Sequence, residues 1–173
     1  RSRSIYYNSG NKHFWKAKVG AFATAAEEVL TKRQHSARSV VYIANYLYSG
    51  LGRSTRAIEI MMIAHKDGRL DTSQQGRLCT WLHNVGRFGE SLALLEPLVE
   101  KNPDNITFRR QLITAYARTK RPQQAKQLIA ATDLYFRAEG RWTENNIAAL
   151  AACMGRIGNH QQAIDYYMEL IPL

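Results

Sequence analysis

Residues 84–105 read NVGRFGESLALLEPLVEKNPDN, and related stretches recur along the chain at a fixed interval. The frame one period earlier falls on SGLGRSTRAIEIMMIAHKDGRLD (49–71), and the frame one period later falls on ARTKRPQQAKQLIAATDLYFRAE (117–139). A fourth copy, GRIGNHQQAIDYYMELIPL (155–173), follows a four-residue insertion. Such a period predicts an array of equivalent supersecondary units.

Each unit begins with a segment of helical spacing. Counted from Arg38, Thr72, Ile106 and Glu144, the seventh and eleventh residues form an apolar stripe. These residues are Ala44, Leu78, Leu112 and Leu150, then Tyr48, Leu82, Tyr116 and Met154. The fifteenth residues are Gly52, Gly86, Lys120 and Gly158. Because glycine most easily adopts the left-handed conformation that ends a helix, the first helix is predicted to stop there.

A second helical segment follows each turn. The twentieth residue of every unit is small, and these residues are Ala57, Ser91, Ala125 and Ala163. Large apolar residues recur four positions later, as Met61, Leu95, Ile129 and Tyr167. Small residues are expected where two helices approach closely, so each unit is predicted to be a helical hairpin.

Capping residues agree with these limits. Asp71 and Asn105 stand where a cap for the next helix is expected, and Pro122 suits the first turn of a helix. Before the fourth unit, Trp142 and Ile147 flank a Thr143 cap with the spacing of a hydrophobic staple.

The pattern resembles the tetratricopeptide repeat family over residues 38–173. The residues that carry the resemblance are Gly86-Arg87-Phe88 at the turn, the small residues of the second helices and Pro103 after a second helix. One departure lies early in the first helix, where the family's aromatic residue is replaced by Val41, Gln75, Arg109 or Ile147. The resemblance implies an all-α, right-handed superhelical solenoid of antiparallel helix hairpins, with about four repeats plus an N-terminal helix.

The expected organisation follows from the frame. Residues 1–13 are interpreted as a basic arm or linker, and residues 14–37 as an N-terminal helix that fits half of a degenerate repeat, with Phe22, Ala26, Val29 and Leu30 on its inner side. The repeats are then 38–71, 72–105 and 106–139, followed by an insertion at 140–143 and an incomplete repeat at 144–173. The ragged ends suggest a module of a larger protein or complex.

In the family, the first helices line a concave groove that binds ligands. The resemblance therefore places the ligand-binding groove at Tyr42, Tyr46, Arg77, His83, Asn84, Arg110, Thr114, Arg118 and Arg156. Arginine forms bidentate hydrogen bonds with carboxylates, so an extended acidic peptide or an acidic partner surface is the leading expectation. The Lys and Asn clamp of the family's chaperone-binding members is absent, because Thr107 and Gln111 stand at matching places.

Two other kinds of partner remain open. The 173-residue chain has a formal net charge of +10, and residues 1–37 and 106–139 each carry seven Lys or Arg against two acids. Basic surfaces with tyrosines also suit RNA, although the period of 34 and the fifth residues Tyr42, Gly76, Arg110 and Ala148 do not match RNA-reading pentatricopeptide arrays. Self-association through the last unit, with Tyr166, Tyr167, Met168 and Leu170 exposed, is the third expectation.

Catalysis and metal binding are not expected. Cys79 and His83 lie four residues apart on one predicted helix, but no second pair with ligand spacing completes a zinc site. No nucleophile, base and orienting group converge from their spacing, so neither a catalytic residue nor a cofactor is predicted. The two cysteines, Cys79 and Cys153, are too few for a disulfide framework and favour a reducing compartment such as the cytoplasm.

Overall fold

The computed structural model describes residues 18–21, 24–25, 28 and 36–171. The chain divides into two compact units, Arg1–Leu70 and Asp71–Leu173. Residues 18–21, 24–25 and 28 are helical. The predicted arm at 1–13 and the predicted inner side chains Phe22, Ala26, Val29 and Leu30 lie outside the described residues.

The first unit contains one hairpin. Helix α1 spans Ala37–Asn45, continues as a π-helical turn over Tyr46–Gly50, and packs against helix α2, Ser54–Lys66. Ser36 caps α1, because its side chain accepts a hydrogen bond from the Ser39 amide. The turn to α2 contains Gly52 with a φ of 65°, as the sequence predicts.

The second unit contains three hairpins. Their first helices are α3 (Thr72–Asn84), α5 (Ile106–Arg118) and α7 (Glu144–Arg156), and their second helices are α4 (Phe88–Lys101), α6 (Pro122–Ala138) and α8 (His160–Met168). The first helices lie side by side, α3 against α5 and α5 against α7. Each second helix packs on its own first helix, and α4 and α6 also pack on the first helix of the following hairpin. No β-strand occurs in the described part of the chain.

Local side chains fix where these helices begin. Asp71 and Gln74 form a reciprocal capping box at α3, while Asn105 accepts hydrogen bonds from the first turn of α5. Thr143 accepts from the Asn146 amide at the start of α7, and Pro122 occupies the first turn of α6. The predicted caps are therefore confirmed.

The turns between first and second helices use a left-handed residue in every hairpin. Gly86 and Gly158 have φ values of 78° and 81°, and Lys120 has a φ of 61° although it carries a side chain. A left-handed conformation costs a non-glycine residue roughly 1 kcal/mol, so the packing of α5 and α6 has to impose it on Lys120. The period thus fixes the backbone at this position more strongly than the residue type does.

The core follows the predicted small and large positions. Ala57, Ser91, Ala125 and Ala163 are all buried, and Met61, Leu95 and Ile129 have no exposed surface. Tyr167 departs from the prediction, because 46% of its surface is exposed while the neighbouring Tyr166 is buried. The expectation that Tyr166 is exposed for self-association is therefore wrong. On α8 no further described hairpin covers Tyr167, whereas Tyr166 packs into the core cluster beside Trp142.

Arg109 occupies the place of the family's aromatic residue and is only 7% exposed. Its guanidinium lies 4.8 Å from the centroid of the Tyr135 ring and 5.7 Å from that of Phe136, donates to the Thr132 hydroxyl at 3.1 Å, and also donates to the Pro103 carbonyl. Burial lowers the pKa of Arg109, yet these acceptors and rings satisfy the charge. Arginine here replaces an aromatic side chain while still packing on aromatic rings.

The insertion at 140–143 ties α6 to α8. We call Asp133, Arg137, Trp142, Tyr166 and Glu169 the tryptophan network. The Arg137 guanidinium lies 3.8 Å from the Trp142 ring centroid and bonds to both Asp133 and Glu169. The Trp142 indole donates to Glu169 at 2.7 Å, and the Tyr166 hydroxyl donates to Asp133 at 3.0 Å. Trp142 therefore anchors the last described helix.

Candidate functional site

The first helices of the second unit carry seven of the nine predicted groove residues. Helix α3 carries Arg77, His83 and Asn84, helix α5 carries Arg110, Thr114 and Arg118, and helix α7 carries Arg156. All seven are exposed or partly exposed. Because α3, α5 and α7 lie side by side, these residues share one layer of the unit.

Arg156 links all three first helices. Its Nη1 donates to the Thr114 hydroxyl at 3.2 Å, and that hydroxyl in turn donates to the Arg110 carbonyl at 2.8 Å. Arg156 also lies near enough to His83 for its charge to lower the pKa of the imidazole, after burial, which is the larger cause. Predicted residues from three separate hairpins are thus brought together.

Arg118 and His83 flank one aromatic ring. The Arg118 guanidinium lies 5.2 Å from the Phe88 ring centroid, and the Phe88 and His83 rings lie 5.0 Å apart in a tilted arrangement. Arginine over an aromatic face is held by the ring quadrupole and leaves its N–H groups available at the edge. The sequence indicates Phe88 only as a residue of the turn, so its role as a platform for Arg118 is not predicted.

The hydrogen bonds around His83 assign its tautomer. The Ser91 hydroxyl donates to the Phe88 carbonyl at 2.9 Å, which uses its single hydrogen. The contact of 2.9 Å between Ser91 Oγ and His83 Nε2 must then be donated by Nε2. Burial and the charge of Arg156 lower the pKa of His83, which favours the neutral imidazole with a lone pair on Nδ1.

Arg110, Arg118 and Arg156 form no salt bridge with any residue in the described ranges. The ion pairs found there join Arg56 to Glu59, Arg69 to Asp67, Arg87 to Glu90, Arg137 to Asp133 and Glu169, and Arg141 to Asp104. We call Arg110, Arg118 and Arg156, together with His83 and Thr114, the arginine surface. It concentrates positive charge that carboxylates of the described chain leave unneutralised.

A cavity of about 450 Å³ lies between α3 and α5 and is not predicted from the sequence. It is lined by Thr72, Ser73, Gly76, Thr80, Asn105, Thr107, Phe108 and Gln111. The Gln111 amide donates to the Thr80 hydroxyl at 2.8 Å, joining the two helices. A Cβ at Gly76 would come within 2.5 Å of the Phe108 ring, so this close approach of α3 and α5 requires glycine.

Tyr42 and Tyr46 belong to the first unit and are considered separately. They are 66% and 41% exposed and, with Ser39 and Ile43, line a pocket of about 410 Å³. Gly50 in the π-helical turn lies against the Tyr46 ring, because a Cβ there would meet that ring at 3.1 Å. The two tyrosines therefore form an exposed aromatic pair within the first hairpin.

The cysteines are core residues, as the sequence predicts. Both are buried, and burial raises the pKa of the Cys79 thiol to about 12 and that of Cys153 to about 11. Both are therefore protonated thiols at neutral pH. In the ranges that the structure describes, no three His, Cys, Asp or Glu side chains cluster as metal ligands, and no helix is long and apolar enough to span a membrane.

Comparison with known proteins supports the repeat interpretation. Residues 84–144 match the family model of the tetratricopeptide repeat. No curated protein sequence matches the chain. Among solved structures, MamA of MSR-1 is 19% identical, with 91% of this chain and 90% of that chain covered and a TM-score of 0.59.

Two further structures show the same similarity. A putative kinesin light chain of Podosopora anserina with nearly identical TPR-like repeats is 17% identical, with 88% and 86% of the two chains covered and a TM-score of 0.64. MamA 41-end of Desulfovibrio magneticus RS-1 is 13% identical, with 88% and 92% covered and a TM-score of 0.61. At these identities the similarity concerns the fold. The all-α class of antiparallel helix hairpins is confirmed, and the fold is similar to that of tetratricopeptide-repeat proteins.

Proposed function

We propose that this chain is a non-catalytic protein-interaction scaffold whose arginine surface binds an extended acidic peptide or an acidic segment of a partner protein. Helical-repeat arrays characteristically present extended surfaces to binding partners. The observation that carries the proposal is the set of three guanidinium groups on adjacent first helices without a carboxylate partner in the described chain.

The arginine surface is partly ordered before any ligand arrives. Arg118 lies over Phe88 and Arg156 is bonded to Thr114, so both long side chains have already lost part of their rotamer freedom. Guanidinium groups held in this way can form charge-assisted, bidentate hydrogen bonds with carboxylates. The arrangement therefore favours acidic side chains spaced along an extended peptide.

Peptide display against the purified chain tests this proposal. We expect the native protein to enrich sequences with several Asp or Glu residues, and an Arg110→Glu, Arg118→Glu variant to lose that enrichment. The matched control is Arg121→Glu, Lys126→Glu, which reverses two exposed charges at the start of α6. Equal enrichment by the native chain and by the Arg110, Arg118 variant would exclude the arginine surface.

Single-stranded RNA is a second candidate, favoured by the exposed aromatic pair Tyr42 and Tyr46, on which bases could stack. Filter binding at low salt tests it with the native chain and a Tyr42→Ala, Tyr46→Ala variant. Retention that falls in the variant supports RNA binding. Absence of retention of single-stranded RNA at low salt excludes it.

Self-association is a third candidate, favoured by Ile164, Tyr167, Met168 and Ile171, which are 46% to 60% exposed on and after α8. Sedimentation equilibrium over a range of concentrations tests it. A mass that rises with concentration, and that becomes constant in an Ile164→Ser, Met168→Ser variant, supports association through this face. A constant monomer mass in the native chain excludes it.

A further inference from the structure

We propose that His83 is a specificity-determining contact of the arginine surface, and that His83 Nδ1 takes up one proton when an acidic group of a ligand binds there. The inference rests on the proposed binding of acidic peptides. It adds a residue with a defined role and makes binding depend on pH between about 5.5 and 8, the range in which histidine titrates.

The two edges of the His83 imidazole lie in different surroundings. Nε2 donates to Ser91, which is fully buried on α4, so that edge of the imidazole faces the interior of the hairpin. His83 itself is partly exposed, and its Nδ1 forms no hydrogen bond with any residue that the structure describes. The free lone pair therefore lies on the other edge of the ring.

Positively charged side chains of α5 and α7 lie near the His83 ring. Arg156 on α7 acts on His83 electrostatically, and Arg118 on α5 is stacked on Phe88, which touches the imidazole. On its own helix the nearest titratable group is Cys79, a protonated thiol. Arg87 and Glu90, at the start of α4, form an ion pair with each other. The surroundings of His83 are therefore net positive and resist its protonation.

The proposed ligand of the arginine surface presents a carboxylate. A carboxylate that bridges Arg118 and Arg156 offers only acceptor atoms, and a neutral imidazole edge with a lone pair also offers only an acceptor. Two acceptors repel unless a proton lies between them. A carboxylate beside the ring favours the imidazolium and offsets the charge of Arg156, which is the smaller of the two causes that lower the pKa of His83, so this pKa rises on binding. The Nε2–H to Ser91 is retained in the imidazolium, which means that the ring does not need to turn.

The consequence is proton-linked affinity. If binding raises the pKa of His83 by about one unit, the affinity for an acidic peptide increases up to about tenfold as the pH falls from 8 to 5.5. Glutamate side chains have an ordinary pKa of about 4.3 and stay ionised over this range. Changes in affinity within this pH range therefore report the titration of groups on the protein.

The test is calorimetric titration of the native chain with an N-acetylated, C-amidated oligo-glutamate peptide at several pH values and in two buffers of different ionisation enthalpy. We expect net proton uptake and a threefold to tenfold gain in affinity toward pH 5.5. In His83→Gln, whose amide nitrogen can still donate to Ser91, binding persists but uptake and pH dependence are lost. The matched control His160→Gln, at an exposed histidine that begins α8, behaves like the native chain.

Each other result has a definite meaning. Binding without proton uptake, or a pH dependence that is unchanged in His83→Gln, overturns the role of His83 while leaving the proposed binding of acidic peptides intact. Loss of pH dependence in His160→Gln likewise assigns the proton elsewhere and overturns it. If oligo-glutamate binds at no pH in this range, the proposed function fails and the inference fails with it.

Discussion

Arg118 and Arg137 both place a guanidinium over an aromatic ring, Phe88 in one case and Trp142 in the other. Arg137 also has two carboxylate partners, Asp133 and Glu169, whereas Arg118 has none among the described residues. The arginine of the tryptophan network is thus paired with carboxylates, and in the described ranges the arginines of the arginine surface are not. An arginine over an aromatic ring holds helices together in the tryptophan network. In the arginine surface, we propose that the same kind of pair binds a partner.

The difference lies in where acidic residues occur. Asp133 and Glu169 belong to α6 and to the end of α8, the second-helix side of the unit. The only acidic residue of the first helices α3, α5 and α7 is Glu144, in the first turn of α7. Substitution of a residue in the tryptophan network should therefore change the free energy of unfolding, whereas substitution of an arginine in the arginine surface should change the affinity for the partner.

Trp142→Ala should give the largest effect. The indole stacks on Arg137, packs 5.8 Å from the Tyr166 ring centroid and donates to Glu169. We expect a loss of about 2 to 3 kcal/mol in the free energy of unfolding, below the range for a fully buried Trp because this one is partly exposed. Urea unfolding followed by circular dichroism measures it. Trp142→Phe should lose less, and an alanine variant as stable as the native chain would refute the anchoring role.

The bond between Asp133 and Tyr166 should give the next largest effect. Tyr166 is buried, and burial and Asp133 together raise the pKa of its phenol, so the hydroxyl stays protonated and needs an acceptor. Asp133→Ala should destabilise the chain by about 1 to 3 kcal/mol because it leaves that donor unpaired. In a double-mutant cycle, Tyr166→Phe should recover part of the loss. Strict additivity of the two substitutions would contradict the bond.

Gly76→Ala tests how closely helices α3 and α5 pack against each other. Alanine normally stabilises a helix relative to glycine, but here its Cβ meets the Phe108 ring. We expect a net loss of about 1 to 2 kcal/mol from overpacking. Gly155→Ala on α7, where the Cβ meets nothing within 4 Å, is the control and should be neutral or stabilising. If the two variants gain equal stability, α3 and α5 are not in the contact described.

The smallest effect is expected at His83, measured by NMR titration of its ring protons. Its pKa lies below 6.5, so the unfolded chain binds more protons than the native chain at mildly acidic pH. The contribution of His83 to stability is therefore complete above about pH 6.5 and is lost as the pH falls through its lower native pKa. Arg156→Gln should raise this pKa, whereas Arg110→Gln should not. An unchanged pKa in Arg156→Gln would separate Arg156 from the imidazole.

Much of the backbone was predictable from the period. The caps at Asp71, Asn105 and Thr143, and the left-handed residue at each turn, follow from local chemistry that recurs in every unit of the array. Even Lys120 was placed correctly, because the frame of the array sets its position. The predictions that Tyr166 is exposed and that Tyr167 packs like Met61, Leu95 and Ile129 were wrong, since burial in α8 depends on Trp142 and on whether another helix follows.

The site was predictable only in part. Counting along the first helices placed Arg110, Thr114, Arg118 and Arg156 in one layer, but the stacking of Arg118 on Phe88 joins two different hairpins. The cavity between α3 and α5 depends on how closely Phe108 approaches Gly76, and residue spacing in the sequence does not determine that distance. The sequence shows that Arg109 replaces the aromatic residue of the family pattern. The rings on which Arg109 packs lie on the following helix, α6, and only the folded hairpin brings them together.

The most direct test of the central claim is the affinity for an oligo-glutamate peptide, measured by fluorescence anisotropy for two triple variants of equal charge. The first is Arg110→Gln, Arg118→Gln, Arg156→Gln on the arginine surface. The second is Lys101→Gln, Arg121→Gln, Lys126→Gln, at exposed positions on the second-helix side. We predict a loss of more than about tenfold in the first and less than about threefold in the second, because directed charged hydrogen bonds outweigh screened net charge. Equal losses would show that only net charge attracts the peptide and would contradict the account.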